Sequence, residues 1–122
     1  MRLATFRKGK TARLGIVRGD SVIDYNTGAR LLSPKGQGTE KAFPEVDLKG
    51  FLSMGTSAIR TAKKVEAWVG AQSGGKSRSS LRGWVFDLNQ VRLLPPLNNP
   101  PKILCLARNY ASHIREVSHA DP

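Results

Sequence analysis

Alternating apolar and polar residues over the first 25 positions predict a small antiparallel β-meander. Three short segments with strand-like composition, residues 3–7, 12–17 and 21–25, are separated by turn-sized stretches that contain Gly9 and Gly19. Glycine is typical of tight hairpin turns because it adopts positive φ angles without a steric cost. The short connections therefore favour strands that pair with their neighbours in the chain.

Farther along, the spacing of apolar residues becomes helical. Residues 26–46 are rich in Gly, Pro, Ser, Lys and Thr and predict a loop. Asp47 is the expected N-cap of a short helix that Gly55 ends, and a second helix is predicted over residues 57–69, with Gly70 as its cap. The apolar face expected for this second helix consists of Ile59, Ala62, Val65, Trp68 and Val69.

The last third of the chain predicts a strand, a stiff connector and a second strand. Residues 91–94 form the first strand, and the Pro- and Asn-rich residues 95–101 form the connector. Residues 103–106 are apolar throughout, which indicates a strand buried on both faces by partners that this chain does not supply. Cys105, in the middle of that strand, is expected to be a buried and unreactive thiol.

These elements predict an α+β fold in two parts. Residues 1–94 form a small domain with an antiparallel meander and two helices, and residues 95–101 connect it to residues 102–122. That last stretch reads as the start of a second, β-rich domain, so we expect a truncated chain.

Composition is that of a globular protein in a reducing compartment. Of the 122 residues, 39% are hydrophobic and 24% are charged, which argues against wholesale disorder. The longest apolar run falls far short of the roughly 20 residues that span a bilayer. The single cysteine cannot form an internal disulfide, and the first residues lack a secretory signal. We therefore expect a cytoplasmic protein.

The net charge of +11 raises the alternative of a small basic module that binds nucleic acid or an acidic partner. The cations are scattered, however, and no recognisable nucleic-acid motif surrounds the aromatic residues, so a solvated basic surface is favoured. Residues 70–77 match the phosphate-loop pattern Gly-x-x-x-x-Gly-Lys-Ser. A working loop of this kind follows a buried strand and opens a helix, and here it follows an amphipathic helix instead.

Candidate chemistry is concentrated near the carboxyl end. The strand at residues 103–106 leads into Arg108, Asn109 and Tyr110, and His113 and Glu116 follow three residues apart. On a helix these two side chains share a face, so the carboxylate can orient the imidazole and raise its basicity toward water. Spacing alone favours a solvent-exposed ion pair, and the Arg-Asn-Tyr context favours a catalytic dyad.

These residues resemble the fumarylacetoacetate hydrolase family. Its small N-terminal domain is similar to the opening Met1-Arg2-Leu3-Ala4-Thr5-Phe6, with Arg13-Leu14-Gly15 and Gly19-Asp20 following. The more specific match is to the start of its catalytic domain. That match consists of Val91-Arg92-Leu93-Leu94-Pro95-Pro96, then Pro100-Pro101-Lys102-Ile103, then Arg108-Asn109-Tyr110-Ala111-x-His113-x-x-Glu116.

The resemblance implies a metal-dependent enzyme that acts on small dicarbonyl acids by C–C hydrolysis, decarboxylation or isomerisation. It assigns His113 and Glu116 to a water-activating dyad and places Arg108, Asn109 and Tyr110 at the substrate. It also implies Mg²⁺ or Mn²⁺ as the cofactor, and a homo-oligomer or a complementing C-terminal chain as the partner.

The chain departs from the family pattern in one important respect. The family's metal ligands, a Glu-x-Glu pair and a later Asp, lie some tens of residues beyond the His-Glu helix, and no such residues follow Glu116 here. Glu45-Val46-Asp47 has the right composition but falls in the N-terminal domain, and Ala107 stands where many members have Gly. A hard cation needs several oxygen ligands. We therefore expect this chain to be inactive alone and to bind no metal tightly.

Overall fold

The computed structural model describes residues 1–33, 45–72, 81–105, 110 and 112. The described residues form five β-strands, three α-helices and a 3₁₀ turn at Leu88–Gln90. In chain order the elements are β1 (Arg2–Lys8), β2 (Thr11–Arg18), β3 (Ser21–Asp24), α1 (Tyr25–Leu31), α2 (Leu48–Ser53), α3 (Thr56–Gln72), β4 (Val85–Asp87) and β5 (Arg92–Leu94). The fold is α+β, as predicted.

All five strands join one antiparallel sheet in the order β4-β3-β2-β1-β5. The predicted meander is confirmed as β1, β2 and β3. Gly9 and Gly19 lie in the two-residue turns between these strands, with φ angles of 73° and 55°. β5 then returns to pair with β1, so the first strand of the chain is an interior strand of the sheet.

The core lies between one face of the sheet and the helices. Leu14, Ile16 and Ile23 point from the sheet into a cluster that α1, α2 and α3 complete. The stripe that α3 buries in this cluster consists of Ala58, Ala62, Val65 and Val69. Because these positions repeat at helical spacing, Ile59 falls off the stripe, and its side chain is 40% exposed. The prediction that Ile59 faces the core is therefore wrong.

The helix α1 corrects the prediction of a loop from residue 26 and of a strand that includes Tyr25. The carboxylate of Asp24 accepts a hydrogen bond from the backbone N–H of Thr27, which caps the helix. Gly28 lies inside α1, where glycine weakens the helical signal in the sequence. Its bare backbone packs against Val65 and Trp84, so tertiary contact rather than propensity stabilises α1.

The other two helices follow the sequence more closely. Asp47 caps α2 through a 2.8 Å bond from Gly50 N–H, as predicted, and Gly55 follows that helix with a φ of 58°. α3 continues to Gln72, so Gly70 is inside the helix and is not its cap. An ideal Cβ on Gly70 would lie 3.0 Å from the Arg18 guanidinium, which occupies that space.

Past α3, one predicted strand is confirmed, and the other, predicted over residues 103–106, is absent over 103–105, while residue 106 lies outside the described residues. β5 matches the strand predicted over residues 91–94, whereas β4 was not predicted. Residues 102–105 adopt no regular structure, and Ile103 and Leu104 are 80% and 92% exposed. Cys105 is exposed as well, which corrects its expected burial. An apolar run becomes a buried strand only where neighbours supply hydrogen bonds and cover, and the described residues supply neither.

Candidate functional site

Four of the five residues that the sequence singles out lie outside the described residues. They are Arg108, Asn109, His113 and Glu116. Tyr110 is described, and its side chain is 64% exposed. The proposed dyad and its neighbours therefore remain predictions. The site that the structure does describe is the surface around the start of the connector, which precedes these residues in the chain.

The start of the connector is attached to β1. The Thr5 side chain is 7% exposed, and its hydroxyl donates a 2.6 Å hydrogen bond to the carbonyl oxygen of Pro96. Two residues earlier, Leu94 pairs with Thr5 in the sheet, and Leu97 packs against the edge of the core. The direction in which the chain leaves the sheet is thus set by β1.

Beside this attachment lies a polar cleft of about 690 Å³. Its walls come from the start of β2, the start of α1, the segment that precedes α2, and connector residues that include Asn98 and Asn99. Three cations and three carboxylates line it, namely Arg13, Arg30, Lys49, Asp24, Glu45 and Asp47. This balance of charge suits a polar, hydrogen-bonding solute better than a strongly anionic one.

Asp24 is the buried carboxylate of the cleft, 3% exposed. One oxygen accepts the helix-capping bond from Thr27 N–H at 3.1 Å, and the other accepts a bond from Arg13 Nη1 at 3.0 Å. Both oxygens are therefore occupied by partners within the chain. Asp24 holds the wall of the cleft in place and is poorly suited to bind a cation.

Asn26 fixes the opposite wall. Its amide group donates to the carbonyl oxygen of Val46 at 2.9 Å and accepts from the N–H of Val46 at 3.0 Å. These two hydrogen bonds tie α1 to the segment that leads into α2. One sequence signal could have predicted α1, which forms part of this wall. Asp24 precedes the apolar positions Tyr25 and Ala29, as an N-cap residue precedes a helix.

The described residues hold no group of three or more His, Cys, Asp and Glu side chains that could bind a metal ion. No helix among them is long and apolar enough to cross a membrane. Next to the cleft, the ring of Tyr25 is buried in the core, and this burial raises the pKa of its hydroxyl above the ordinary value of 10.0.

Comparison with known proteins gives one informative similarity. The chain is 32% identical over 69 residues to a frog protein, oxaloacetate tautomerase fahd2, mitochondrial, from Xenopus laevis. The aligned stretch covers 57% of this chain but only 18% of the frog protein. The similarity supports the resemblance to fumarylacetoacetate hydrolase-like enzymes. No family model matches the chain.

Proposed function

We propose that this chain supplies the amino-terminal part of a fumarylacetoacetate hydrolase-like enzyme that acts on a small dicarbonyl acid. The observation that supports this most is the 32% identity over 69 residues to an oxaloacetate tautomerase. The ordered motifs from Val91 to Glu116 point to the same family. By analogy with the frog protein's name, the reaction we favour is the enol–keto conversion of oxaloacetate.

That reaction removes the proton from the enol oxygen and adds a proton to the carbon next to the new carbonyl group, and it breaks no carbon–carbon bond. In this proposal His113 carries the proton and Glu116 orients its imidazole. Arg108 pairs with a substrate carboxylate through its planar guanidinium, and Asn109 and Tyr110 add hydrogen bonds. In this proposal the sheet holds the start of the connector through the hydrogen bond from Thr5 to Pro96, and so sets where the segment with these residues begins.

A divalent cation, Mg²⁺ or Mn²⁺, would hold the keto-acid oxygens in the complete enzyme. The described residues do not fit that role. The buried carboxylate of Asp24 is already bonded to Arg13 and Thr27, and a hard cation takes several oxygen ligands. We therefore derive no step through a metal from this chain and place its ligands in the remainder of the enzyme.

The test joins this chain to the part of the frog relative that the alignment leaves uncovered. The conversion of oxaloacetate enol is followed by ultraviolet absorbance with Mg²⁺ or Mn²⁺ present. We expect the chain alone to be inactive and the chimera to be active. His113→Asn in the chimera should lower kcat by about 10²–10⁴-fold, whereas the matched His119→Asn should leave it unchanged. A folded chimera without activity, or equal rates for the two variants, would contradict the proposal.

A second candidate function is binding to nucleic acid or to an acidic partner. It is favoured by one feature of the sheet, the pairing of Arg7 with Arg92 directly across β1 and β5. Like charges at such positions destabilise a sheet unless an anion lies nearby. We expect Arg7→Gln with Arg92→Gln to shorten retention on heparin more than the matched pair Arg60→Gln with Lys63→Gln on α3. Equal shortening would indicate net charge alone.

A further inference from the structure

A second concave surface lies where the hairpin of β2 and β3 meets β4 and the last turns of α3. This groove has a volume of about 480 Å³, within the roughly 300–1,000 Å³ of pockets that hold small organic molecules. Half of its lining is apolar, and three of these residues belong to the buried core. The apolar lining consists of Ile23, Val69, Leu81, Val85 and Phe86.

The polar lining of the groove is biased toward positive charge. Arg18 and Arg82 stand against one carboxylate, Asp87, and Ser21 and Gln90 add neutral hydrogen-bonding groups. In the part of the chain that the structure describes, the ion pair that forms is Arg13–Asp24, outside this groove. The two guanidinium groups are therefore available to an oxyanion, whose geometry a planar guanidinium matches with two parallel hydrogen bonds.

Gly70 makes room for one of these arginines. A Cβ at this position would lie 3.0 Å from a terminal guanidinium nitrogen of Arg18 and 3.3 Å from its central carbon. Arg18 therefore lies against the bare backbone of α3. A cation near the carboxyl end of a helix is stabilising in itself. That explanation accounts for Arg18 but not for Arg82, which comes from the segment after α3.

We propose that this groove binds a small organic anion with an apolar body. The body lies on Leu81, Val85 and Phe86, and its carboxylate or phosphate group lies between Arg18 and Arg82. Ser21 and Gln90 supply further hydrogen bonds to the oxyanion. This assignment is independent of the proposed catalytic function, because the groove contains none of the residues predicted for catalysis.

Binding can be followed through the protein's own tryptophans. Trp84 stacks on Trp68 with ring centroids 5.9 Å apart, and the backbone N–H of Trp84 donates to the carbonyl oxygen of Leu81. A ligand against Leu81 and Val85 should therefore change the tryptophan emission. The probes are phenyl phosphate, phenylacetate, benzyl alcohol and inorganic phosphate. Phenyl phosphate and phenylacetate distinguish a phosphate from a carboxylate ligand. Inorganic phosphate lacks the apolar body and benzyl alcohol lacks the charge, so each tests one of the two contributions to binding.

We expect phenyl phosphate or phenylacetate to bind at least about tenfold more tightly than inorganic phosphate and benzyl alcohol. The tighter of the two organic anions identifies the oxyanion that the groove prefers. Equal affinity for inorganic phosphate would overturn the proposal, because the apolar floor would then contribute nothing. Absence of a saturable signal for both organic anions up to about 10 mM, checked by calorimetry, would also overturn it.

Three variants test the assigned residues. Arg18→Gln and Arg82→Gln should each weaken binding by about tenfold or more. The matched control, Arg60→Gln, removes the same charge from an exposed position of α3 outside the groove and should leave the affinity unchanged. Gly70→Ala keeps every charge but displaces the Arg18 guanidinium, so it should weaken binding to a smaller extent. If Arg60→Gln weakened binding as much as Arg18→Gln, the effect would be that of net charge and the groove would not be the site.

Discussion

Two helical glycines show how the surroundings of a single residue determine which substitutions it tolerates. Gly28 lies within α1 and Gly70 in the last turn of α3, and alanine is favoured over glycine in helices by up to about 1 kcal/mol. A Cβ on Gly28 would lie 2.5 Å from Val65 Cγ1 and 2.9 Å from Trp84 Cζ3. The three atoms nearest to a Cβ on Gly70 would all belong to the flexible end of Arg18. The same substitution therefore has opposite expected effects at the two positions.

We predict that Gly28→Ala lowers the free energy of unfolding, because overpacking of about 1–3 kcal/mol exceeds the gain in helix propensity. Gly70→Ala should raise the free energy of unfolding by up to about 1 kcal/mol. Urea denaturation followed by tryptophan emission measures both changes. Equal stabilisation of the two variants would contradict this prediction, because it would mean that Val65 and Trp84 can move aside for a methyl group on residue 28.

Tyr25 gives the domain a pH-dependent contribution to stability at alkaline pH. Burial raises the pKa of its hydroxyl above 10.0 in the folded chain. A raised pKa means that the folded state binds its proton more tightly, so this contribution is complete below pH 10 and is lost as the pH rises through the folded-state pKa. We expect the stability of the wild type to fall more steeply above pH 10 than that of Tyr25→Phe. Parallel pH profiles would contradict this expectation.

At the scale of elements, the sequence predicted those whose signals are local. The hairpin turns at Gly9 and Gly19 and the cap at Asp47 each depend on a few neighbouring residues, and all three are confirmed. α1 was missed because its interior glycine is compensated by Val65 and Trp84, which are distant in sequence. The strand predicted at residues 103–106 is absent over its described residues, 103–105, for the opposite reason, since its apolar pattern needs partners that the described residues lack.

In the candidate site too, the sequence indicated what depends on neighbouring residues and missed what depends on residues far apart in the chain. The sequence singled out Arg108, His113 and Glu116 through their spacing, the Arg-Asn-Tyr context and the resemblance to the fumarylacetoacetate hydrolase family. The polar cleft and the groove were not predicted, because each is assembled from segments far apart in the chain. Arg18 and Arg82, for example, are separated by the whole helical region. A single sequence carries no direct signal for such a juxtaposition.

The bond between Thr5 and Pro96 holds the connector to the sheet, and its removal should loosen that attachment. Thr5→Val keeps the shape of the side chain but leaves the Pro96 carbonyl without its donor, at a cost of about 1–3 kcal/mol. Thr5→Ser retains the hydroxyl and is the matched control. We expect faster tryptic cleavage after Lys102 in Thr5→Val than in the wild type or Thr5→Ser. Unchanged cleavage would mean that pairing of β1 with β5 suffices.

For the whole molecule, the exposed apolar residues after the connector predict self-association. Ile103 and Leu104 are 80% and 92% exposed, and contiguous apolar surface favours association with other chains. We expect the double variant Ile103→Ser and Leu104→Ser to sediment more slowly than the wild type at high protein concentration. Leu52→Ser, at a separately exposed leucine on α2, is the control. Identical sedimentation of all three proteins would contradict the expectation.

The pairing of β1 with β5 also sets when the sheet can be completed during synthesis. Arg7 and Arg92 are register partners although 84 residues lie between them in the chain. At about 5–20 residues per second, translation needs roughly 4–17 s to add that stretch. Until then one side of β1 has no strand to accept or donate its hydrogen bonds. During that interval the nascent chain presents an open β-edge, with which a strand of another chain can pair.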